Sequence, residues 1–382
     1  TAIGLQAAID TAVKNNLLLK NEQLTAQYKQ LLISSGAVVP QTTLHAEAGQ
    51  FNSIYTDTKF GLSQSFSFPK VYSTQKDLLR EEWKTSVLST AVKEKELKQQ
   101  VQSVFYQLAW LREKERLLKY ADSLFNDFYK RTELRLQKGE SNILEKATAE
   151  TQLGQINIQR KQLQHDKDVL QLQFQLLLNT TTVFVPSASS LKLPVQLTSA
   201  EFGSHPSTAL AQQQERIADA IIKAEQSKLL PELSLGVFST SITGTGADNK
   251  YYSSAKRFQW VQLGIGIPVF AKAQKAKINS AKFGKQIAVN QTAISLQTLS
   301  INYQKNLALY KQYNETVNYF EQTGLKNASL IIETANKQFS SGLINYLEWI
   351  MLVNQATTVK NDYLDAVHRL NESIIQLNYY HN

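Results

Sequence analysis

Gly139-Glu140-Ser141-Asn142-Ile143-Leu144-Glu145 is answered later in the chain by Gly342-Leu343-Ile344-Asn345-Tyr346-Leu347-Glu348. Glycine, asparagine, leucine and glutamate recur at the same offsets, 203 positions on (342 − 139). Each copy interrupts a long stretch of helical character. Proline lacks an N–H and clashes with the preceding turn, so helix interiors exclude it. Residues 70–185 and 269–382 contain none of the seven prolines. A glycine inside such a stretch supplies the freedom to end one helix, and the next restarts within a few residues. Each phrase therefore predicts the bend of a helical hairpin. Two bends at matching places predict a duplicated molecule.

Working outward, the other landmarks pair as well. Pro40 and Pro231 are 191 residues apart (231 − 40), and Pro69 and Pro268 are 199 apart (268 − 69). Before each first proline lies a helical pattern, over 2–35 and again over 206–230. Between the prolines the period changes to two. Leu44, Ala46 and Ala48 alternate with Thr43, His45 and Glu47, and Phe60, Leu62, Phe66 and Phe68 alternate with Lys59, Gly61, Ser63, Ser65 and Ser67. Leu233, Leu235 and Val237, then Val261, Leu263, Ile265 and Ile267, repeat the alternation in the second half. That pattern predicts strands over about 41–51, 59–68, 232–242 and 257–267, with Gln64 the exception on an apolar face. From Lys70 to Lys138 there is neither glycine nor proline. Apolar residues there keep the 3-4-3 spacing of a coiled coil, for example Val101, Val104, Leu108 and Leu111. At 1.5 Å per residue such a helix is on the order of 100 Å long. Gly284 and Gly324 are expected weak points in its counterpart, and 180–196 is expected to be a linker. The expected domains are two repeats, 1–197 and 198–382, each running helix, strand, strand, long helix, bend, helix.

Composition excludes several functions. The 382 residues are 42% hydrophobic and 19% charged, with no continuous apolar run of the ~18 residues a spanning helix needs. With no cysteine there is no disulfide, thiolate metal site or cysteine nucleophile. The net charge of +9 is spread along the helices, which suits a solvated face better than nucleic-acid binding. Histidines 45, 165, 205, 368 and 381 show no metal-ligand spacing, and Met351 is the single methionine. No phosphate loop or nucleophile–base pattern stands out, so no enzyme, cofactor or metal is expected. The opening Thr1-Ala2-Ile3-Gly4 lacks the basic start of a signal peptide, as expected of a mature form or an excised piece.

The strands are the decisive element. Four strands with one apolar and one small-polar face cannot close around water alone, and left open they expose aggregation-prone edges. Their lengths match the ~9–11 residues of a transmembrane strand, and their alternation suits lipid on one side and a wet lumen on the other. Phe51, Tyr55, Phe60, Tyr251, Tyr252, Phe258 and Trp260 near the strand ends are expected in interfacial belts. The same alternation also fits a small soluble sheet packed on helices.

This order of elements, done twice, resembles the TolC-type outer-membrane efflux proteins. The most specific marks are Gln137-Lys138-Gly139 with Ser141, Leu144 and Glu145, and Phe339-Ser340-Ser341-Gly342 with Tyr346, Leu347 and Glu348. Leu230-Pro231 before Leu233 and Leu235, and Ile267-Pro268-Val269-Phe270, are similar to the family's strand borders. The resemblance implies a mainly α fold with a small β part. It implies a homotrimer in which four strands per chain build a twelve-stranded transmembrane β-barrel above a helical α-barrel. It implies an exit duct in a Gram-negative outer membrane, with a long periplasmic part, served by a periplasmic adaptor (membrane fusion) protein and an inner-membrane resistance-nodulation-division pump. Pro69 with Lys70-Val71-Tyr72 looks more like the CusC/CzcC-like heavy-metal branch; the lack of an N-terminal cysteine departs from lipidated members.

The resemblance also places Gly139, Glu145, Phe339, Gly342 and Glu348 at the periplasmic tip, where acidic residues ring the closed mouth. Six carboxylates in a trimer would favour cations. An acid in the first turn of a helix is also an ordinary stabilising feature. Two other readings stay open: a soluble coiled-coil scaffold, and a pore-forming helical toxin.

Overall fold

A computed structural model describes residues 1–139, 142–195 and 202–380. In chain order, β1 (Ala2–Ile3) leads into α1 (Leu5–Asn15) and α2 (Leu17–Leu32). Strands β2 (Thr43–Gly49) and β3 (Asp57–Ser67) precede α3 (Pro69–Gln137), a single helix of 69 residues, and α4 (Ile143–Leu178). A short β4 (Val185–Pro186) is followed by α5 (Pro206–Ser227) and β5 (Glu232–Ser241). Then come the two-residue β6 (Gly244–Thr245) and β7 (Tyr251–Tyr252), and β8 (Arg257–Gly266). Helices α6 (Lys272–Tyr319), α7 (Leu325–Ser340) and α8 (Tyr346–Asn378) complete the chain. Each half thus runs helix, strand, strand, long helix, bend, helix. The expected boundary at 197/198 lies outside the described residues.

Two compact units form, and each draws on both halves. One comprises Thr1–Asn21, Ala91–Pro206 and Leu296–Asn382; the other comprises Glu22–Thr90 and Ser207–Ser295.

In the first unit, Ala8, Ile9 and Ala12 of α1 are buried with Val101, Phe105 and Leu108 of α3 and Phe174 and Leu178 of α4. These positions carry the 3-4 spacing that marks one face of a helix. The helix expected over 2–35 is broken at Asn16, whose ψ of 123° is extended. The Asn16 side chain accounts for the break. Its oxygen accepts from the amides of Leu18 and Leu19 at 3.0 and 3.1 Å, capping α2, and its nitrogen donates to the Leu177 carbonyl at 3.0 Å. The expected linker is also more than a tether. β4 pairs in parallel with β1, and Asn371 of α8 clasps the backbone of Leu191 and Leu193 at 2.6 and 2.9 Å. A π-turn over Phe320–Gly324 separates α6 from α7, whereas α6 runs straight through Gly284. At Gly324 an added Cβ would meet the Phe320 ring at 2.8 Å.

The second unit holds the main sheet, antiparallel throughout in the order β2-β3-β5-β8. Strand bounds differ from expectation by no more than two residues. Leu44, Leu62, Val237 and Val261 stand opposite one another across the four strands. With side chains alternating between faces, that row shares its face with Phe60, Phe66, Leu233, Leu235, Leu263 and Ile265. Gln64 lies among them with its amide satisfied. It donates to the carbonyls of Pro40 (2.7 Å) and Ser65 (2.9 Å) and accepts from Thr42 (2.6 Å). Helices of this unit are tied by polar contacts: Lys29 to Glu82 at 2.8 Å, Thr74 to Ser227 at 2.9 Å, and Gln274 to the Glu225 carbonyl at 2.7 Å.

Candidate functional site

Two places carry the features that a function would use: the sheet and the helical bends. The apolar face of the sheet is bare. Leu263 is 80% exposed, Ile265 68% and Val261 63%. An apolar patch spanning four strands is far from the isolated exposed leucines of an ordinary soluble surface. Among the described residues, β2 and β8 are each paired on one side only, so both edges of the sheet offer unpaired backbone groups. Arg257 closes the far end of this face. Its guanidinium lies 5.2 Å from the Phe60 ring centroid and donates to Thr58 Oγ1 (2.7 Å) and the Ser239 carbonyl (2.6 Å).

The opposite face carries Glu47, Lys59, Ser63, Ser65, Ser234 and Gln262 together with Gly61, Gly236 and Gly264. Register puts Phe258 and Trp260 on this polar face, which corrects their expected place in an aromatic belt on the apolar side; Phe60 is on the apolar side.

At the bends, the recurring phrase resolves into two half-motifs. Gly139 and Gly342 both adopt φ of +75°, the left-handed region in which a Cβ is strained. Around Gly342, the Leu343 amide donates to the Gln338 carbonyl (2.9 Å) and the Gly342 amide to that of Phe339 (3.2 Å). These two bonds make a Schellman ending. Three residues later the asparagine starts the next helix. Asn142 accepts from the Glu145 amide at 3.0 Å, and Asn345 accepts from the Glu348 amide at 3.0 Å. The Glu348 carboxylate returns the bond to the Asn345 amide at 2.9 Å, completing a capping box. The spacing Gly-x-x-Asn-x-x-Glu is therefore stop, cap and third helical residue. Asn142 and Asn345 were legible as caps from the Asn-x-x-Glu spacing alone. Glu140 and Ser141 lie outside the described residues.

Each expected gate acid has a local role. Glu348 serves the capping box, and the carboxylate of Glu145, whose side chain is 12% exposed, lies 3.8 Å from Arg135 across the bend. Phe339 joins a buried aromatic group. Trp349 stacks on Phe128 at 4.7 Å, meets Phe125 and Phe339 at 5.7 and 5.6 Å, and donates to Asn336 at 2.8 Å. Ile143, Leu144, Leu343, Leu347 and Met351 are exposed around the bends.

Farther along α3, Glu115 sits between Lys119 (2.6 Å) and Lys167 (2.9 Å), and hydrogen bonds from these two ammonium groups hold its pKa at about 2. Among the described residues, no three His, Cys, Asp or Glu side chains converge to hold a metal. His45 bonds to Ser63 (2.7 Å), His205 to the Tyr379 carbonyl (3.0 Å), and His368 stacks on Trp110 at 4.4 Å. His381 lies outside the described residues. No described helix is long and apolar enough to cross a membrane.

Residues 198–380 match the family model for outer membrane efflux proteins. That match spans the second repeat, just under half of the chain. A CusC structure superposes with a TM-score of 0.81 at 17% identity, covering 98% of this chain and 91% of that one. A membrane protein from Pseudomonas aeruginosa gives 0.83 at 14% identity, covering 98% and 93%. The CmeC outer membrane channel of Campylobacter jejuni gives 0.81 at 15%, covering 98% and 85%. These likenesses establish the TolC-like fold over nearly the whole chain. No curated protein matches it in sequence.

Proposed function

We propose that the chain is one third of an outer-membrane efflux duct. Three copies supply four strands each, β8 of one copy pairing with β2 of the next, so that twelve strands close and no edge remains. The exposed row from Leu44 to Val261 then meets lipid, and the face of Lys59, Ser63 and Gln262 lines a wet lumen. The single observation that carries this reading is the bare apolar face between two unpaired edges. A soluble scaffold would have to expose that face to water. The duct conducts passively; the family is one of channels, and no residue here is assigned to chemistry.

The long hairpins extend into the periplasm of a Gram-negative cell and end at the two bends. Their exposed Leu343, Leu347, Ile143 and Leu144 are the surface for a periplasmic adaptor, which links the duct to an inner-membrane pump of the resistance-nodulation-division type. The halves 1–197 and 198–382 are read as copies of one ancestral unit. Heavy-metal cations are the first cargo class to test, from the resemblance carried by Pro69 and Lys70-Val71-Tyr72.

The duct reading is tested on native protein. It should require detergent for extraction, run as a trimer and conduct in planar bilayers; a water-soluble monomer would overturn it. The gate role of Glu145 and Glu348 has a separate test. Glu145→Gln with Glu348→Gln should weaken block of the pore by divalent cations, and unchanged block would leave both as helix-capping acids.

A further inference from the structure

One cluster on the polar face of the sheet is set apart by its aromatic rings. Phe238 and Trp260 stack at 4.4 Å with an interplanar angle of 16°. They lie in one row with His45 and Gly61, as the register pairs His45 with Gly61, Gly61 with Phe238, and Phe238 with Trp260. Two glycines make the floor. An added Cβ at Gly236 would come within 2.6 Å of the Phe238 ring, and one at Gly61 would overlap it. The Phe238 ring therefore lies low over the strands. His45, held by Ser63, leans on it from the far side at 5.8 Å. Phe238 is consequently 8% exposed, whereas Trp260, on the edge strand β8, is 41% exposed in the single chain.

A cation stands over this platform. The Lys59 ammonium is 5.2 Å from the Phe238 centroid and 5.9 Å from that of Trp260, and it pairs with Glu47 at 3.2 Å. The cation-accepting side of the rings is thus already occupied. Glu47 is the loosest member, with half of its side chain exposed. A ligand carboxylate or sulfonate can exchange for Glu47 at Lys59 without disturbing the stack. A ligand cation would have to expel Lys59 from the rings.

We propose that Trp260, Phe238 and Lys59 form a binding station for planar aromatic anions, one in each copy, on the lumenal side of the barrel. The ligand stacks on the open face of Trp260 and places its anionic group on Lys59. The lumenal position rests on the duct reading; the binding itself does not.

The probe is 1-naphthalenesulfonate, with cyclohexanesulfonate as the same anion lacking an aromatic face. Isothermal titration uses the full chain purified in detergent. Wild type should bind the naphthalene probe at least tenfold more tightly than the cyclohexane one. Trp260→Leu and Lys59→Gln should each lose about tenfold, and Trp260→Phe should retain most of the affinity. Equal affinity for the two probes, or unchanged binding by Trp260→Leu, would overturn the proposal. The two-probe comparison on wild type decides even if a variant fails to fold. Bilayer recordings separate the two readings. Conductance without preferential binding removes the station and keeps the duct; binding without conductance does the reverse.

Discussion

Replacing Trp349 by alanine should open the bend end of the helical hairpins while sparing the sheet. Trp349 is 4% exposed, so nearly its whole side chain is removed from water. Roughly 200 Å² of buried aromatic surface at ~25 cal/mol/Å² corresponds to about 5 kcal/mol. Residual burial in the unfolded chain lowers this by ~10–40%. Loss of the stack on Phe128 and the edge contact to Phe125 adds ~1 kcal/mol, and loss of the bond to half-buried Asn336 adds ~0.5–1 kcal/mol. The expected cost is about 4.5–6.5 kcal/mol, at or just above the top of the range for aromatic-to-alanine changes in cores. The energy is local, because the neighbours Phe125, Phe128, Phe339, Ala335 and Val353 form one cluster. Amide hydrogen exchange reads it directly: protection over 328–339 and 349–356 should fall by at least about a thousandfold. Amides of β5 serve as the internal control and should change by less than threefold. Trp349→Phe keeps the stack and should cost only ~1–2 kcal/mol. A loss of protection under tenfold at the bends, or an equal loss in β5, would refute the idea that this cluster holds the hairpin ends independently.

Two further outcomes are expected. Gly342→Ala places a Cβ at φ +75° and should lower stability by about 1–2 kcal/mol, measured as faster cleavage at the bend by a protease; cleavage at the wild-type rate would show that the turn can be remade without the left-handed residue. Glu115 is held at a pKa of about 2, below its ordinary value of 4.5, so its contribution is complete above pH 4.5 and is lost as pH falls toward 2. After allowance for solvent screening this amounts to about 1–2 kcal/mol. Acid denaturation of Glu115→Gln should therefore be shallower than wild type across that window, and superimposable curves would rule out the contribution.

The strands were legible because alternation survives in every one of them, and Pro69 and Pro268 mark where it stops. The bends were legible because the phrase Gly-x-x-Asn-x-Leu-Glu recurs in two proline-free stretches and glycine takes +75° easily. Asn16 was less visible. The residues around it keep helical spacing, and its break depends on a bond to Leu177, 161 positions away. The same is true of the 180–195 stretch, whose prolines and serines look like a tether until Asn371 claims its backbone. Trp260 was misplaced for a different reason: nearness to a strand end suggested an interfacial role, whereas its parity with Gln262 and Gly264 already assigned it to the polar face. At the acids, spacing located Glu145 and Glu348 but could not tell a capping carboxylate from one offered to a pore.

The pairing of β3 with β5 has a consequence for synthesis. The first hairpin ends at Ser67 and its partner begins at Glu232, 165 residues later (232 − 67). At ~5–20 residues per second a ribosome needs roughly ten to thirty seconds to supply it. Throughout that delay a greasy ribbon with an unfilled border exists in an aqueous compartment, and pairings at such separation are slow to find. Biogenesis of this protein should therefore lean on a chaperone that shelters half-made sheets, and its depletion should strike this chain harder than barrels whose strands follow one another directly.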